Sequence, residues 1–194
     1  MTNQSVIMPR SLPAAKRTLI LEAARRLLVR RGFQNVVLDD VAREADVAKG
    51  TLFLHFKNKE ELIGAAFADM VDRLGESLEA VSRSDARGEA LLSSAVETIL
   101  AHFERNHDFM SHFGGARFPK AKLARNLGLV RGILGQCAEA GLMELKDPDT
   151  AALSLFGLCR TAVFHRAVTG DGAPFTARTP KVVDFFLHGV GAPR

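Results

Sequence analysis

The chain has no tryptophan, no tyrosine and only two cysteines among its 194 residues. No apolar run approaches the roughly 20 residues that a membrane span requires. Each absence narrows the reading. Without tryptophan or tyrosine, intrinsic fluorescence quenching will not report a bound ligand. Cys137 and Cys159 lie in apolar helical stretches and lack the paired spacing of a zinc site or a redox motif, so they read as buried thiols in a reducing compartment. Met1 to Arg10 is polar with no apolar core, so no secretory signal is expected and the cytoplasm is the expected location. There is no phosphate-binding glycine loop, no HExxH, no G-x-S-x-G elbow and no paired Cys–His framework. No enzymatic activity, catalytic residue, cofactor or metal is therefore expected. A metal site from His102, His107 and His112 fails on spacing, because steps of five do not share one helical face and no carboxylate pair accompanies them.

What is present is a charge asymmetry. The first 60 residues carry 11 Lys or Arg against 6 Asp or Glu, a net +5, whereas the remainder nets −1. Excess positive charge at one end is the footprint of a surface that meets phosphates, although a charge run is also an ordinary solvated face. Apolar residues make up 47% and charged residues 25%, the balance of a globular chain long enough to fold without disulfide or metal.

The apolar spacing is helical throughout, with no sustained alternation and no hairpin turn between alternating runs. The expected fold is all-α, with about nine helices: an N-terminal three-helix helix-turn-helix head over 13–60 and a helical ligand-binding and dimerisation body over 61–194. The first helix is predicted from about Pro13 to Arg31, stopped by Gly32 with Phe33 folding back as a cap contact. Helices follow at about 38–45 and 49–56. Asn58 with Glu61 forms a capping-box pattern that opens a helix to about Val81. Further helices are predicted at about 89–106, from Pro119 to Ala140 with a stop at Gly141, from Asp147-Pro148 to Thr169, and from Thr179-Pro180 to Gly189. The segment His107 to Phe118 reads as broken and aromatic-rich.

Asp39 to Phe56 carries the functional signal. Val41, Ala42, Val47 and Leu52 have helix-turn-helix spacing, with small Ala42 allowing a close crossing and the turn at Asp46. The second helix then presents Lys49, Thr51 and His55 outward, where they can reach DNA edges and phosphates. An ordinary helical hairpin would show similar residue types.

The stretch from Ile20 to Phe67, ILEAARRLLVRRGF followed by VAREADVAKGTLFLHFKNKEELIGAAF, resembles the DNA-binding head of the TetR (tetracycline repressor) family over about a quarter of the chain. The resemblance implies a dimeric repressor whose last two long helices pair across a two-fold axis. It places Lys49, Gly50 and Thr51 at the start of the recognition helix. Phe53 and His55 fall near the DNA backbone, and Lys59 at a phosphate beside the start of the fourth helix. Four positions depart from the pattern. Val37 and Ala48 stand where hydroxyl caps are usual, Asp46 replaces a turn glycine, and Phe53 replaces a tyrosine whose phenol would bond phosphate.

The body holds a second signal. His102, Phe103, His107, Met110, Phe113 and Phe118, facing Phe156, Val163 and Phe164, are the residues expected to line a pocket for a mainly hydrophobic effector with one polar or anionic group. The plainer reading makes the Phe and Met side chains core. The helix over 149–169 is apolar over most of its circumference, and Val182, Val183, Phe185, Phe186 and Leu187 show the same excess, which predicts cover from a second subunit. The expected partners are therefore double-stranded operator DNA, a small-molecule effector and a second copy of the chain, with no membrane. The competing reading is a helix-turn-helix DNA-binding protein controlled by a protein partner, without a small ligand.

Overall fold

The computed structural model describes residues 12–111 and 119–189. Among them are eight α-helices, two 3-10 turns and no strand. The helices are α1 (Leu12–Arg31), α2 (Leu38–Glu44), α3 (Lys49–His55), α4 (Lys59–Ser82), α5 (Gly88–Ser111), α6 (Lys120–Glu139), α7 (Pro148–Thr169) and α8 (Thr179–His188). The 3-10 turns cover Phe33–Asn35 and Phe175–Arg178. The chain divides into two units whose boundary falls inside α4, after Phe67. Among the described residues, no helix is long and apolar enough to cross a membrane.

In the first unit, α1 turns one stripe inward: Ile20, Ala23, Ala24, Leu27 and Leu28 are all buried. Val41 and Ala42 of α2, Leu52 of α3, Phe56, and Leu62 and Ile63 of α4 complete this core. Each fully buried Leu or Ile contributes roughly 1.5–3 kcal/mol. Gly32 ends α1 with φ 72° and its N–H on Leu28 O at 2.8 Å. The start of α4 is capped as its sequence indicates, with the Glu61 N–H donating to Asn58 Oδ1 at 2.8 Å. The returning Glu61 carboxylate accepts from the Lys57 N–H, also at 2.8 Å.

In the second unit, the core is laid down by i, i+3 and i+4 repeats: Leu92, Val96, Ile99 and Phe103 of α5, and Val130, Ile133, Leu134 and Cys137 of α6. Gly141 stops α6 at φ 77°, with the Leu142 N–H on Cys137 O at 3.0 Å. Asp147 caps α7 by accepting from the Thr150 N–H (3.0 Å) and Thr150 Oγ1 (2.6 Å), which holds its carboxyl below the usual aspartate range. Both cysteines are buried free thiols. Burial pushes the Cys159 thiol up to about 12.

Two local expectations differ from the structure. Helix α5 does not break at His107 but runs on to Ser111, because Phe109 continues the buried stripe and Asn106 Nδ2 closes onto His102 O at 2.7 Å. The loop after α7 contains the turn Phe175–Arg178, whose Phe175 is buried in the core.

Helix α7 is packed in an unusual sense. Its core face is mostly small (Ala152, Cys159 and Ala162 beside Leu155), while Leu153 and Phe164 are 57% and 72% exposed. Small inward residues let α7 lie close against its neighbour, and Leu153, Phe164 and Val168 are left outside. Phe185 of α8 is exposed as well.

Candidate functional site

The turn between α2 and α3 is built as a paired stop. Asp46 takes φ 53°, the one positive φ outside glycine among the described residues. The Asp46 N–H donates to Arg43 O (3.2 Å) and the Val47 N–H to Ala42 O (3.0 Å). These two bonds together close the helix end and reverse the chain. Aspartate occupies the left-handed well because its short polar side chain tolerates it. Buried Ala42 and Leu52, with half-buried Val47, then hold α3 across α2. Val37 and Ala48 occupy the N-cap positions of α2 and α3 in extended conformation, and neither makes a side-chain cap bond.

The six head residues singled out from the sequence fall in two groups. Gly50 and Thr51 lie on the outward side of α3; Gly50 is exposed, and a Cβ added there would meet nothing within 4 Å. Phe53 is 43% exposed, and His55 is half-buried with its ring 6.2 Å from that of Phe56. The two lysines are tethered. Lys49 Nζ donates to Asp39 Oδ2 at 2.8 Å and stands 5.9 Å from the Phe53 ring centre. Lys59 Nζ donates to Phe33 O (3.1 Å) and Gln34 O (3.2 Å) and stands 4.8 Å over the Phe33 ring. Phe33, expected as a cap contact for α1, thus serves the Lys59 ammonium.

Ion pairs order the rest of this surface. Glu44 accepts from Arg26 (3.0 Å) and Arg30 (2.6 Å), and those bonds hold its carboxyl below the usual range. Asp40 receives Arg31 (2.5 Å) and Arg43 (3.1 Å). Such exposed pairs contribute little stability each, but they fix α2 against the end of α1. The sequence reading missed two residues here. Arg17 lies 5.6 Å from the Phe56 ring centre. Leu54 is 86% exposed, and a helical projection of α3 would have found it.

In the second unit, four of the residues expected to line a pocket share one apolar core. Phe103 is part of the core, and Met110, Phe156 and Val163 pack against it. His102 is buried. His107 meets the Phe175 ring edge-on at 5.8 Å. Phe164 is largely exposed. Phe113 and Phe118 lie outside the described residues.

Around Phe175 sits a polar cluster the sequence did not announce. Arg166 stacks on the ring with its guanidinium carbon 4.0 Å from the centre, and donates to Glu104 Oε1 and Ala173 O, both at 2.7 Å. The Phe175 N–H donates to Glu104 Oε2. Partial burial opposes ionisation of Glu104, but bonds from Arg166 and the Phe175 N–H outweigh it and hold its carboxyl below the usual range. A second polar contact joins α6 to α4. Asn126 is buried and donates through Nδ2 to Val71 O at 2.9 Å. Its Oδ1 has no hydrogen-bond partner among the described residues and sits where a Cβ on Gly75 would be, 2.6 Å from that position. Glycine at 75 therefore gives Asn126 its seat. An open groove of about 730 Å³ lies elsewhere on this unit, lined by Leu142, Met143, Leu158, Phe185 and Phe186 among others. None of the described residues expected to line the pocket borders it.

A short outward helix set across another by a left-handed turn, joined to a separate helical unit, defines a helix-turn-helix regulator. The comparisons specify it further. Residues 20–66 match the family described as "Bacterial regulatory proteins, tetR family", and residues 114–188 match "AefR-like transcriptional repressor, C-terminal domain". The transposon Tn10 TetC protein of Escherichia coli is 25% identical over 75% of this chain and 77% of its own. The fatty acid metabolism regulator protein of Bacillus subtilis is 25% identical over 88% of this chain and 93% of its own. The crystal structure of the transcriptional regulator FadR from Bacillus subtilis, in complex with stearoyl-CoA, shares the fold with a TM-score of 0.76 at 20% identity, covering 89% of this chain and 98% of that one. The chain belongs to the TetR family of DNA-binding transcriptional regulators.

Proposed function

We propose that this protein is a cytoplasmic homodimeric repressor that leaves its operator when a small, mainly hydrophobic effector binds the body. The observation that carries the DNA-binding half is the α2–α3 unit, with the reversal at Asp46 and α3 facing outward. In this reading residues 13–60 form the DNA-binding head and residues from 61 onward the effector and dimerisation body. Lys49, Gly50, Thr51, Phe53, His55 and Lys59 make the DNA contacts, with α3 in the major groove. The exposed apolar side chains of α7 and α8 support pairing of two copies through those helices.

The effector half draws on the apolar interior around Phe103, Met110, Phe156 and Val163, with His102 and His107 as polar handles. FadR of Bacillus subtilis holds stearoyl-CoA, a ligand of the kind proposed here: a long apolar chain on a polar, anionic group. Helix α4 supplies residues to both units, so an effector that displaces α4 in the body shifts the population away from the DNA-competent form.

The test has three readouts, none of which uses fluorescence of the protein. Light scattering at micromolar concentration is expected to give a dimer, and a monomeric mass would remove the α7–α8 pairing. Footprinting on the upstream region of the protein's own gene is expected to show a roughly palindromic site. Stearoyl-CoA is the first probe for calorimetry and thermal shift. A raised Tm with release of the footprint supports the effector reading, and an unchanged Tm with the footprint intact counts against an acyl-type effector.

A further inference from the structure

Leu54 is the most exposed large apolar side chain among the described residues, at 86%. It sits on the helix assigned to the DNA groove. The geometry of α3 explains the exposure. At about 100° per residue, the buried Leu52 and Phe56 define the inward direction, and Leu54 falls roughly opposite to both. Gly50, one turn earlier, and Thr51 share this outward side. Phe53 and half-buried His55 flank it, about 100° to either side of Leu54, while Lys49 lies nearer the inward direction and is drawn to Asp39. The crest of the helix is therefore bare backbone at Gly50 followed by an isobutyl group at Leu54, with a single hydroxyl at Thr51 beside them.

The polar complement of this face is correspondingly thin. Ala48 brings no hydroxyl to the cap, and Phe53 brings no phenol. Leucine offers a base edge no donor and no acceptor. The one apolar group that a base pair displays in the major groove is the 5-methyl of thymine. Gly50 removes the side chain that would hold the helix off the groove floor, since a Cβ there would project into open space. The surrounding head carries the cations that would bring it to phosphates.

We propose that Leu54 is a specificity-determining residue that reads the 5-methyl group of thymine, with Gly50 allowing the approach. This rests on the DNA-binding reading of α3. It makes thymine at one fixed position of each half-site a requirement of shape and hydrophobicity, without a hydrogen bond to that base.

The experiment uses the full-length protein and a pool of 30-base-pair duplexes with randomised centres, followed by binding measurements on the winning duplex. That duplex is then synthesised with deoxyuridine in place of each half-site thymine, which deletes the methyl and nothing else. Loss of one buried methyl contact is worth about fourfold, so a two-fold site is expected to weaken about fifteenfold. Leu54→Ala keeps helix propensity at an exposed position, and unchanged far-UV circular dichroism checks its fold. In that variant, deoxyuridine is expected to have no further effect, while binding to random duplex and its salt slope match the parent. Equal affinity of the parent for thymine and deoxyuridine duplexes, with salt-dependent binding intact, overturns the methyl reading and leaves DNA binding standing. Equal deoxyuridine penalties in the parent and in Leu54→Ala would likewise overturn the role of Leu54. Failure to enrich any duplex, with no salt-dependent binding, would overturn both, as would loss of a protein partner rather than of DNA on the substitution.

Discussion

The two units expose apolar side chains in different company. In the head, Phe53 and Leu54 stand out from α3 within a segment whose net charge is +5. In the body, Leu153 stands out from a stretch of α7, residues 150–159, that contains no charged residue. An exposed apolar group set among cations suits a polyanion that displays apolar spots. One set among other apolar groups suits a protein surface of the same kind. The interiors differ as well. The head is closed by turns and surface ion pairs, whereas the body depends on a few polar fittings: the half-buried pair Glu104 and Arg166, and buried Asn126 against Gly75. Head function is thus displayed on the surface, and body integrity rests on fitted polar contacts that tolerate little change.

The largest effect expected from this contrast is that of Phe175→Ala. The substitution empties a buried ring site and strips Arg166 of its stacking surface, at a cost of about 3–5 kcal/mol. Hydrogen exchange read by mass spectrometry should show the loss in α5, α7 and α8 with protection of α1 to α3 retained. A uniform loss over the whole chain would mean that the two units unfold as one.

A smaller cost, about 1–3 kcal/mol, is expected for Gly75→Ala, whose Cβ would stand 2.6 Å from Asn126 Oδ1 and 2.9 Å from Arg125 Nη1. Urea unfolding followed by circular dichroism gives the number. Combining it with Asn126→Ala should cost less than the sum of the two single changes, because the second removes the atom that clashes. Strict additivity would refute the fitted contact.

The smallest effect has the opposite sign and belongs to the head. Val37→Thr and Ala48→Ser restore hydroxyls at two extended N-cap positions that lack side-chain bonds. Each is expected to stabilise the head by about 1 kcal/mol, seen as slower amide exchange at the starts of α2 and α3. No change at either start would show that solvent already satisfies those N–H groups.

How far the sequence could be read follows the same division. The reversal at Asp46, the cap at Asn58, the stop at Gly141 and the Asp147-Pro148 opening were all legible, because each depends on a residue type at a fixed local offset. The extension of α5 past His107 was not, because it depends on what Phe109 packs against. The turn carrying Phe175 was hidden for the same reason: it is held by Arg166 and by Glu104, the latter 71 residues away in sequence. In the site, Lys49 and Lys59 were legible as cations at the recognition helix and its neighbour, but their tethers to Asp39 and to the carbonyls of Phe33 and Gln34 were not. For α7, apolar residues all round its circumference were visible in sequence. That Ala152, Cys159 and Ala162 face in while Leu153 and Phe164 face out was not, since composition does not reveal which side of a helix lies against a neighbour.

The two cysteines have a practical consequence for spectroscopy. Both thiols are shielded from solvent, and burial holds both above the usual cysteine range. A maleimide or methanethiosulfonate reagent needs an accessible thiolate, so neither native cysteine should compete for label in the folded protein. A cysteine introduced at an exposed head position such as Lys16 can then carry the sole nitroxide on each copy of the chain, with no cysteine-free background to engineer. In the proposed dimer, electron–electron dipolar spectroscopy on that single variant would read the separation of the two labels directly, with and without the proposed effector.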